Sequence, residues 1–312
     1  MNKVFDRSNW GRIRLTGADR VRFLHNQTTN NIEQLSAGQG CHTVFVTSTG
    51  RTIDLATVYA MADSLLVIVS PGMDQQLYDW MDRYIFFSDK VTLTNESEQT
   101  FMFTVLGDDS ARLQESLGLA EMPTQAFTHQ LFQIAEEECL MSTNSDLGLP
   151  GYTFIGPKAV AEPLWSALTQ VVTTPGTAEE WETLRVMQGR PMPSQELTED
   201  ENPLEAGLWH SISFEKGCYI GQETIARLNT YQGVKKRLWG FQMQKPVTPG
   251  AVIYVAETKV GNITSVTQTS DDTLFALGYL RTKAGGEGLS VEIEGVSAEA
   301  IALPFIKHEY QT

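Results

Sequence analysis

The chain has 312 residues, of which 41% are hydrophobic and 20% charged, and its formal net charge is −15. This length accommodates two or three domains with sizeable cores, and the composition is that of an ordinary globular protein, which argues against long disordered stretches. The acidic balance argues against broad nucleic-acid binding, because affinity for phosphate backbones depends on Lys and Arg, and no apolar run approaches the roughly 20 residues that a membrane helix requires.

The first residues and the cysteines add two expectations. Residues 1–7 contain no hydrophobic signal core, so we expect a cytoplasmic protein without membrane contact. Cys41, Cys139 and Cys218 are odd in number and widely separated, and none forms a CxxC pair or a Cys/His pair at zinc spacing. This usage argues against a disulfide framework, and we predict no metal site.

The first ninety residues alternate strand and helix patterns without a repeating parallel unit. Asp19 is positioned to cap one helix, and Pro71 introduces another. Strands are predicted from short apolar or alternating runs at residues 11–16, 42–46, 53–59 and 65–70. The order strand, helix, hairpin, strand, helix is typical of an α+β unit.

A second unit of the same kind is predicted between residues 91 and 187. Its predicted strands are 101–106, 127–135 and 140–143, and its predicted helices are 110–117, 162–170 and 177–187. After residue 237 the pattern changes to six short strands, 238–242, 251–255, 259–268, 274–280, 289–294 and 298–303. Their Pro-Gly, Asp-Asp and Gly-Gly turns predict a small antiparallel barrel, with a domain boundary near Gly233.

Between these regions lies a connection that leads into the most informative motif. Residues 189–203 hold three prolines and four acidic residues, which predicts an extended surface segment. The basic run at residues 235–237 is interpreted as a solvated loop, with attraction of a polyanionic small molecule such as a glutamylated folate tail as the alternative.

The motif occupies residues 216–223 and reads Lys-Gly-Cys-Tyr-Ile-Gly-Gln-Glu, between a strand-like run at 212–214 and a helix predicted from residue 222. A neighbouring cation and a helix N-terminus both stabilise a thiolate, so we expect Lys216 and this helix to activate Cys218. Gly217 and Gly221 let backbone amides approach and hold an anion. The alternative is that Cys218 is a small buried hydrophobe in a turn.

The motif also carries a family resemblance. Together with the following Thr-Ile-Ala-Arg, it resembles the signature of the YgfZ-type folate-binding proteins, which are similar to the aminomethyltransferase (T-protein) of the glycine cleavage system and to mitochondrial iron–sulfur assembly factors. The resemblance extends through Leu184-Arg185 and residues 202–207 to residues 17–38. It implies two intertwined α/β-sandwich units of mostly antiparallel sheet in residues 1–233, divided near residue 90, and a C-terminal antiparallel β-barrel in residues 234–312.

The same resemblance implies a function. Tetrahydrofolate, or a one-carbon derivative, would bind in a channel between the domains. The protein would act in assembly or repair of iron–sulfur clusters of client enzymes, including those that thiolate tRNA, so its partners would be folate and iron–sulfur enzymes or assembly proteins, with no direct nucleic-acid contact.

Two positions depart from the aminomethyltransferase pattern. Of an acidic pair on the second hairpin strand, this chain keeps Asp54 and has Leu55 at the second position. Met187 stands where the transferases place a pterin-binding glutamate, and a thioether cannot accept the paired hydrogen bonds of a pterin. We therefore expect Gln188 or Glu205, or Gln222 of the signature, to replace it, and we leave open whether the protein is an enzyme.

The resulting hypothesis assigns catalytic roles to Cys218, Lys216 and Asp54. Several signature residues are assigned to cofactor binding: Tyr219 by stacking, Gly221 by its amide, Gln222 and Glu223 by orientation, and Arg227 by pairing with Glu223 or a folate glutamate. Two alternatives stay open, a folate-dependent aminomethyl- or methyltransferase and a thiol-bearing scaffold protein without a cofactor.

Overall fold

In a computed structural model, which describes residues 2–107, 109–172 and 174–310, the chain forms two five-stranded sheets and a closed six-stranded barrel. The strands are β1 (Lys3–Asp6), β2 (Gly11–Thr16), β3 (Gln39–Val46), β4 (Thr52–Ala60), β5 (Ser64–Val69), β6 (Thr92–Asn95), β7 (Thr100–Leu106), β8 (His129–Ile134), β9 (Glu137–Ser142), β10 (Gly151–Pro157), β11 (Lys236–Met243), β12 (Val252–Val255), β13 (Thr258–Gln268), β14 (Leu274–Arg281), β15 (Ser290–Ile293) and β16 (Val296–Ile301).

Helices cover fewer residues than strands. The α-helices are α1 (Arg20–Gln27), α2 (Asp74–Asp82), α3 (Ser110–Ser116), α4 (Ala161–Val171), α5 (Ala178–Gln188) and α6 (Gln222–Thr230). Short 3-10 helices cover Ile32–Gln34, Lys158–Val160, Trp209–Ser211 and Thr282–Ala284.

The sheets are antiparallel and their strand order requires crossovers. One sheet has the order β3-β4-β5-β2-β6 and the other β1-β7-β10-β9-β8. The barrel has the order β11-β14-β13-β12-β15-β16 and closes because β16 pairs with β11, with Phe241 opposite Ala300. This mixed arrangement of antiparallel sheets, helices and a C-terminal barrel confirms the predicted fold class.

The chain divides into two compact units that are discontinuous in sequence. The first comprises Met1–Thr43 and Ala56–Ala178, and the second comprises Val44–Leu55 and Glu179–Thr312. The second unit therefore contains the tip of the β3–β4 hairpin, whose Val44, Val46 and Leu55 are fully buried in a hydrophobic cluster with Trp209 and Ile225. The boundaries predicted near residues 90 and 233 remain predictions.

Three local predictions were wrong. Residues 212–214 are not a strand: Ile212 joins the hydrophobic cluster and Phe214 packs 6.1 Å from the ring of Trp209, without pairing into a sheet. Residues 189–203 are not an extended surface segment, because they form turns in which Arg190 and Glu196 are fully buried. The basic run is not one solvated loop, since its last two residues begin β11 and are half-buried.

Strands β1, β6 and β10 were not predicted. The first two have four residues each, too few for a visible alternation, and β10 begins with Gly151 and ends with Pro157. Tertiary pairing defines them, as when Val4 and Tyr152 both lie opposite Val105 of β7.

Candidate functional site

Two glycines join the hairpin tip of the second unit to the start of α6. Gly50 and Gly221 have φ angles of +72° and +81°, in the region that favours glycine. A Cβ on Gly221 would lie 2.6 Å from the carbonyl oxygen of Thr47 and 3.0 Å from Cα of Gly50, and one on Gly50 would lie 3.1 Å from Cβ of Thr224. The signature loop and the hairpin turn therefore approach backbone to backbone.

The same hairpin is hydrogen-bonded to the loop formed by residues 198–205. The Thr52 amide donates to the carbonyl oxygen of Glu201 at 2.9 Å, and its hydroxyl donates to that of Thr198 at 2.9 Å. Arg51 donates from Nη1 to the carbonyl oxygen of Asp200 at 3.0 Å. These bonds fix the first residues of β4 against the loop that carries Glu205.

Glu205 offers an acceptor oxygen in a mostly dehydrated position. Its side chain is only 8% exposed; Oε2 accepts from the Asn202 amide at 3.1 Å and lies 3.9 Å from Nη1 of Arg51. Oε1 accepts no hydrogen bond from any described residue. Burial raises the pKa of Glu205 above its ordinary value, against the opposing effects of the Asn202 amide and of the Lys236 and Arg51 charges. The site therefore combines a buried carboxyl group with nearby cations.

Within the signature loop, neighbouring side chains occupy different environments. Lys216 is buried, and its Nζ lies 4.8 Å from the ring centroid of Tyr219. Tyr219 is 8% exposed within the hydrophobic cluster, so little of its ring is accessible, and burial raises its pKa. Cys218 between them is exposed, which contradicts the alternative that it is a buried hydrophobe. Its activation by Lys216 remains a prediction, as does ligand stacking by Tyr219.

A cleft of about 800 Å³ lies along α6 and the segment that follows it. We call it the α6 cleft; it is lined by Glu223, Thr224, Arg227, Leu228, Tyr231, Gly233 and Lys235. The structure thus brings together two residues predicted from the sequence, Glu223 and Arg227. Sequence reasoning assigned no role to Thr224 or Tyr231; the exposure of Tyr231, at 77%, is visible only in the fold.

The remaining predicted residues lie on β4, α5 and α6 of the second unit. Asp54 is fully buried in β4, and Leu55 beside it is fully buried in the hydrophobic cluster. Gln188 ends α5, where its carbonyl oxygen accepts from the amide of Phe305 at 3.0 Å. Half-buried Gln222 begins α6 after Gly221. Their roles toward a ligand remain predictions.

Arg185, quoted with the family pattern, has a structural environment. It is fully buried and forms two hydrogen bonds to Glu182, at 2.6 and 2.8 Å, and one to Glu196 at 3.0 Å. A third partner is the hydroxyl of Ser265, at 2.9 Å. These bonds tie α5 to the turn region 189–203 and to β13, which explains why that region is buried in spite of its charges.

Among the described residues, no helix is both long and apolar enough to cross a membrane. Within the same residues, no group of three or more His, Cys, Asp or Glu side chains is arranged to hold a metal ion.

Comparison with known proteins gives a consistent family. Residues 2–216 match the family model described as the GCVT N-terminal domain. A chloroplastic protein of Arabidopsis thaliana, named provisionally as a transferase, is 41% identical over 310 residues, which cover 98% of this chain and 72% of that protein. An aminomethyltransferase of Halalkalibacterium halodurans is 28% identical over 321 residues, which cover 97% of this chain and 86% of the relative.

A solved structure shows the same fold. The crystal structure of glycine cleavage system aminomethyltransferase T from Bartonella henselae matches with a TM-score of 0.86 at 19% identity, and the match covers 100% of this chain and 88% of that one. The resemblance to the aminomethyltransferases that the signature predicted is therefore confirmed at the level of family and fold. With more than half of its length matched by the family model, the chain belongs to the GCVT family.

Proposed function

We propose that this protein is a tetrahydrofolate-binding member of the GCVT family, of the YgfZ type, that presents the thiol of Cys218 to iron–sulfur proteins. The observation that carries the proposal is the contrast between an exposed Cys218 and a fully buried Leu55. The chain keeps an accessible nucleophile, while the position of the second transferase acid has become part of the core.

The residues of the second unit fit a reduced pterin. Glu205 presents one carboxylate oxygen, Oε1, with no described hydrogen-bond donor, and a carboxylate oxygen accepts hydrogen bonds from ring N–H donors. Arg51 lies beside it and balances its charge. When bound, tetrahydrofolate would supply the nitrogen atoms that carry a one-carbon unit. Glu205 would hold the pterin and Arg51 would orient Glu205.

Cys218 is the proposed contact with client proteins. It lies in the loop that precedes α6, and a thiolate is both a nucleophile and a metal ligand. Its proposed partners are iron–sulfur enzymes or assembly proteins, including enzymes that thiolate tRNA. The net charge of −15 supports an indirect link to tRNA, through those clients. Cytoplasmic placement remains part of the proposal, whereas the Arabidopsis relative is chloroplastic by name.

The first test is the alkylation rate of Cys218 against pH, followed on its peptide by mass spectrometry, with and without tetrahydrofolate. We expect the thiol to react faster at neutral pH than a cysteine in a model peptide, and folate to change the rate. A thiol that behaves like the model peptide and ignores folate would overturn the proposed role of Cys218.

The second test uses cells that lack this protein. Cys218→Ala is expected to fail to sustain the activity of iron–sulfur enzymes, whereas the matched variant Cys41→Ala sustains it. Equal rescue by both variants would contradict the proposal. Calorimetric titration of the same variants with tetrahydrofolate separates loss of the thiol from loss of folate binding.

A second candidate function is folate-dependent aminomethyl transfer. It is favoured by the alignment of an aminomethyltransferase over 97% of this chain and by the retention of Asp54. A transferase that depends on Asp54 would lose turnover in Asp54→Asn and keep it in Cys218→Ala. The accessory protein proposed above would depend on Cys218 in the cell assay.

A further inference from the structure

Strand β8 is an edge strand with outward-facing backbone groups. In the sheet β1-β7-β10-β9-β8 it lies at the end of the order, beside β9. The His129 amide points away from β9 and donates to the carbonyl oxygen of Gly38 at 2.8 Å. Because the backbone groups of an antiparallel strand alternate in direction, those of Leu131 and Gln133 point outward as well. Within the part of the chain that the structure describes, neither residue has a backbone partner on that side. The edge is thus open to a further strand.

The open edge carries an apolar side chain. Leu131 is 46% exposed, although it lies opposite Leu140, which in turn lies opposite Ile155. Leu140 and Ile155 are buried, so Leu131 is the exposed end of an apolar row across three strands. Natural sheets protect their edges with charges, proline or very short strands, because an apolar edge pairs with other chains. This end of the row is therefore a position for contact with another chain.

A cleft lies beside this row, and its lining comes from both sheets of the first unit. We call it the β8 groove; it has a volume of about 850 Å³, and the row of Leu131, Leu140 and Ile155 lines it. Leu66 of β5 and Thr94 of β6 contribute from the other sheet, and all its lining residues belong to the first unit. The volume is sufficient for several side chains of an extended peptide.

The lining of the β8 groove has excess negative charge. Asp63 and Glu138 are exposed residues of this lining, and neither forms an ion pair with a described residue. Arg14 also lines the groove, but its Nε donates to Glu96 at 2.6 Å, so these two charges offset each other. Two uncompensated carboxylates beside an apolar row attract a ligand that is both apolar and cationic.

We infer that the β8 groove binds an extended segment of a partner protein, which adds a strand to β8. The added strand is antiparallel, like the other pairs of this sheet. An apolar side chain of the segment packs against Leu131, and Lys or Arg side chains two residues before and after it meet Asp63 and Glu138. A second copy of this chain would bring the same carboxylates to the groove, and its net charge of −15 opposes such pairing. The inference depends neither on folate nor on Cys218.

The test uses a fluorescein-labelled peptide with blocked ends, Thr-Lys-Thr-Leu-Thr-Lys-Thr, titrated with the full chain and followed by fluorescence anisotropy. In an extended peptide this spacing puts leucine and both lysines on one face. We expect saturable binding that weakens as salt screens the charges. Replacing both lysines by glutamate should weaken binding at least about tenfold. Methylating the leucine amide should also weaken it about tenfold, because that amide donates to the Leu131 carbonyl oxygen in the added strand.

Variants of the protein locate the site. Asp63→Asn with Glu138→Gln should weaken peptide binding at least about tenfold, and so should Leu131→Thr, with unchanged urea midpoints. The matched control, Glu257→Gln with Glu287→Gln, removes two exposed carboxylates of the barrel and should keep the affinity.

Three results would overturn the inference. The first is absence of peptide binding to the wild type, and the second is equal affinity for the methylated and unmethylated peptides, which would indicate attraction by charge without an added strand. The third is an equal loss of affinity in the control pair and the groove pair. Light scattering adds a check on the occupant: a dimer of the free protein that Leu131→Thr dissociates would show that a second copy, and not a partner segment, covers the β8 edge.

Discussion

Replacing Gly221 by alanine tests the contact that organises the candidate site. Gly221 has φ near +81°, where an alanine costs about 1 kcal/mol. Its new Cβ would also lie 2.6 Å from a backbone oxygen and 3.0 Å from Cα of Gly50, atoms that cannot rotate away. Moving the hairpin turn adds about 1–3 kcal/mol, so we expect a total loss of about 2–4 kcal/mol in the free energy of unfolding.

The control is Gly288→Ala in the barrel. Gly288 has φ near +79°, but a Cβ there would meet nothing within 4 Å, so only the conformational cost of about 1 kcal/mol applies. Both variants are measured by urea unfolding, followed by circular dichroism and tryptophan fluorescence. If Gly221→Ala is no more destabilising than Gly288→Ala, the hairpin turn does not lie against the start of α6, and the described contact between Gly50 and Gly221 is wrong.

Three further outcomes are expected. Burial lowers the pKa of His129 and of His308 to about 4, below the ordinary 6.5, so the unfolded chain takes up protons first as pH falls. The stability that these residues contribute is therefore present above pH 6.5 and is lost as pH falls toward 4. The urea midpoint should drop in that window, and it should drop less in His129→Gln with His308→Gln. Because burial raises the pKa of Glu205 in the folded state, the stability that this residue contributes is lost as pH rises above the ordinary 4.5. Glu205→Gln should therefore be more stable than the wild type at pH 7 and should bind tetrahydrofolate more weakly. A variant less stable than the wild type in urea unfolding at pH 7 would contradict this reasoning. Leu55→Asp restores the second acid of the transferase pattern but places a carboxylate in a hydrophobic cluster, so it should lower the free energy of unfolding by about 3–5 kcal/mol. Leu131→Asp, at a 46% exposed position, should lower it little. Equal unfolding midpoints for the two variants would refute the assigned burial.

The barrel could be predicted because its information is local. Its strands are short runs separated by turn residues, β15 and β16 alternate buried and exposed residues, and each prediction ended within two residues of the observed strand. Ile212 and Phe214 have the same apolar character, but no described strand pairs with them, and both side chains pack into the hydrophobic cluster instead. Apolar composition predicts burial there, while the hydrogen-bonding partner is decided by tertiary structure.

The candidate site was predictable in its motif and not in its surroundings. Cys218, Glu223 and Arg227 stand out in the sequence because of their neighbours, whereas the pairing of Gly50 with Gly221 joins residues far apart in the chain. The burial of Glu196 depends on Arg185 and Ser265, which lie on two other elements. Proline and charge in residues 189–203 indicated exposure because local composition contains no information about such distant partners.

The discontinuity of the second unit has a consequence for synthesis and dissection of the chain. Val44, Val46 and Leu55 emerge from the ribosome long before the residues of the cluster that buries them, all of which follow residue 179. Early in translation this hydrophobic hairpin tip lacks its native packing partners and stays exposed to solvent. Such exposure slows folding and favours aggregation or chaperone binding. A fragment that begins at Glu179 would lack these three side chains, so cutting the chain once yields no autonomous C-terminal half.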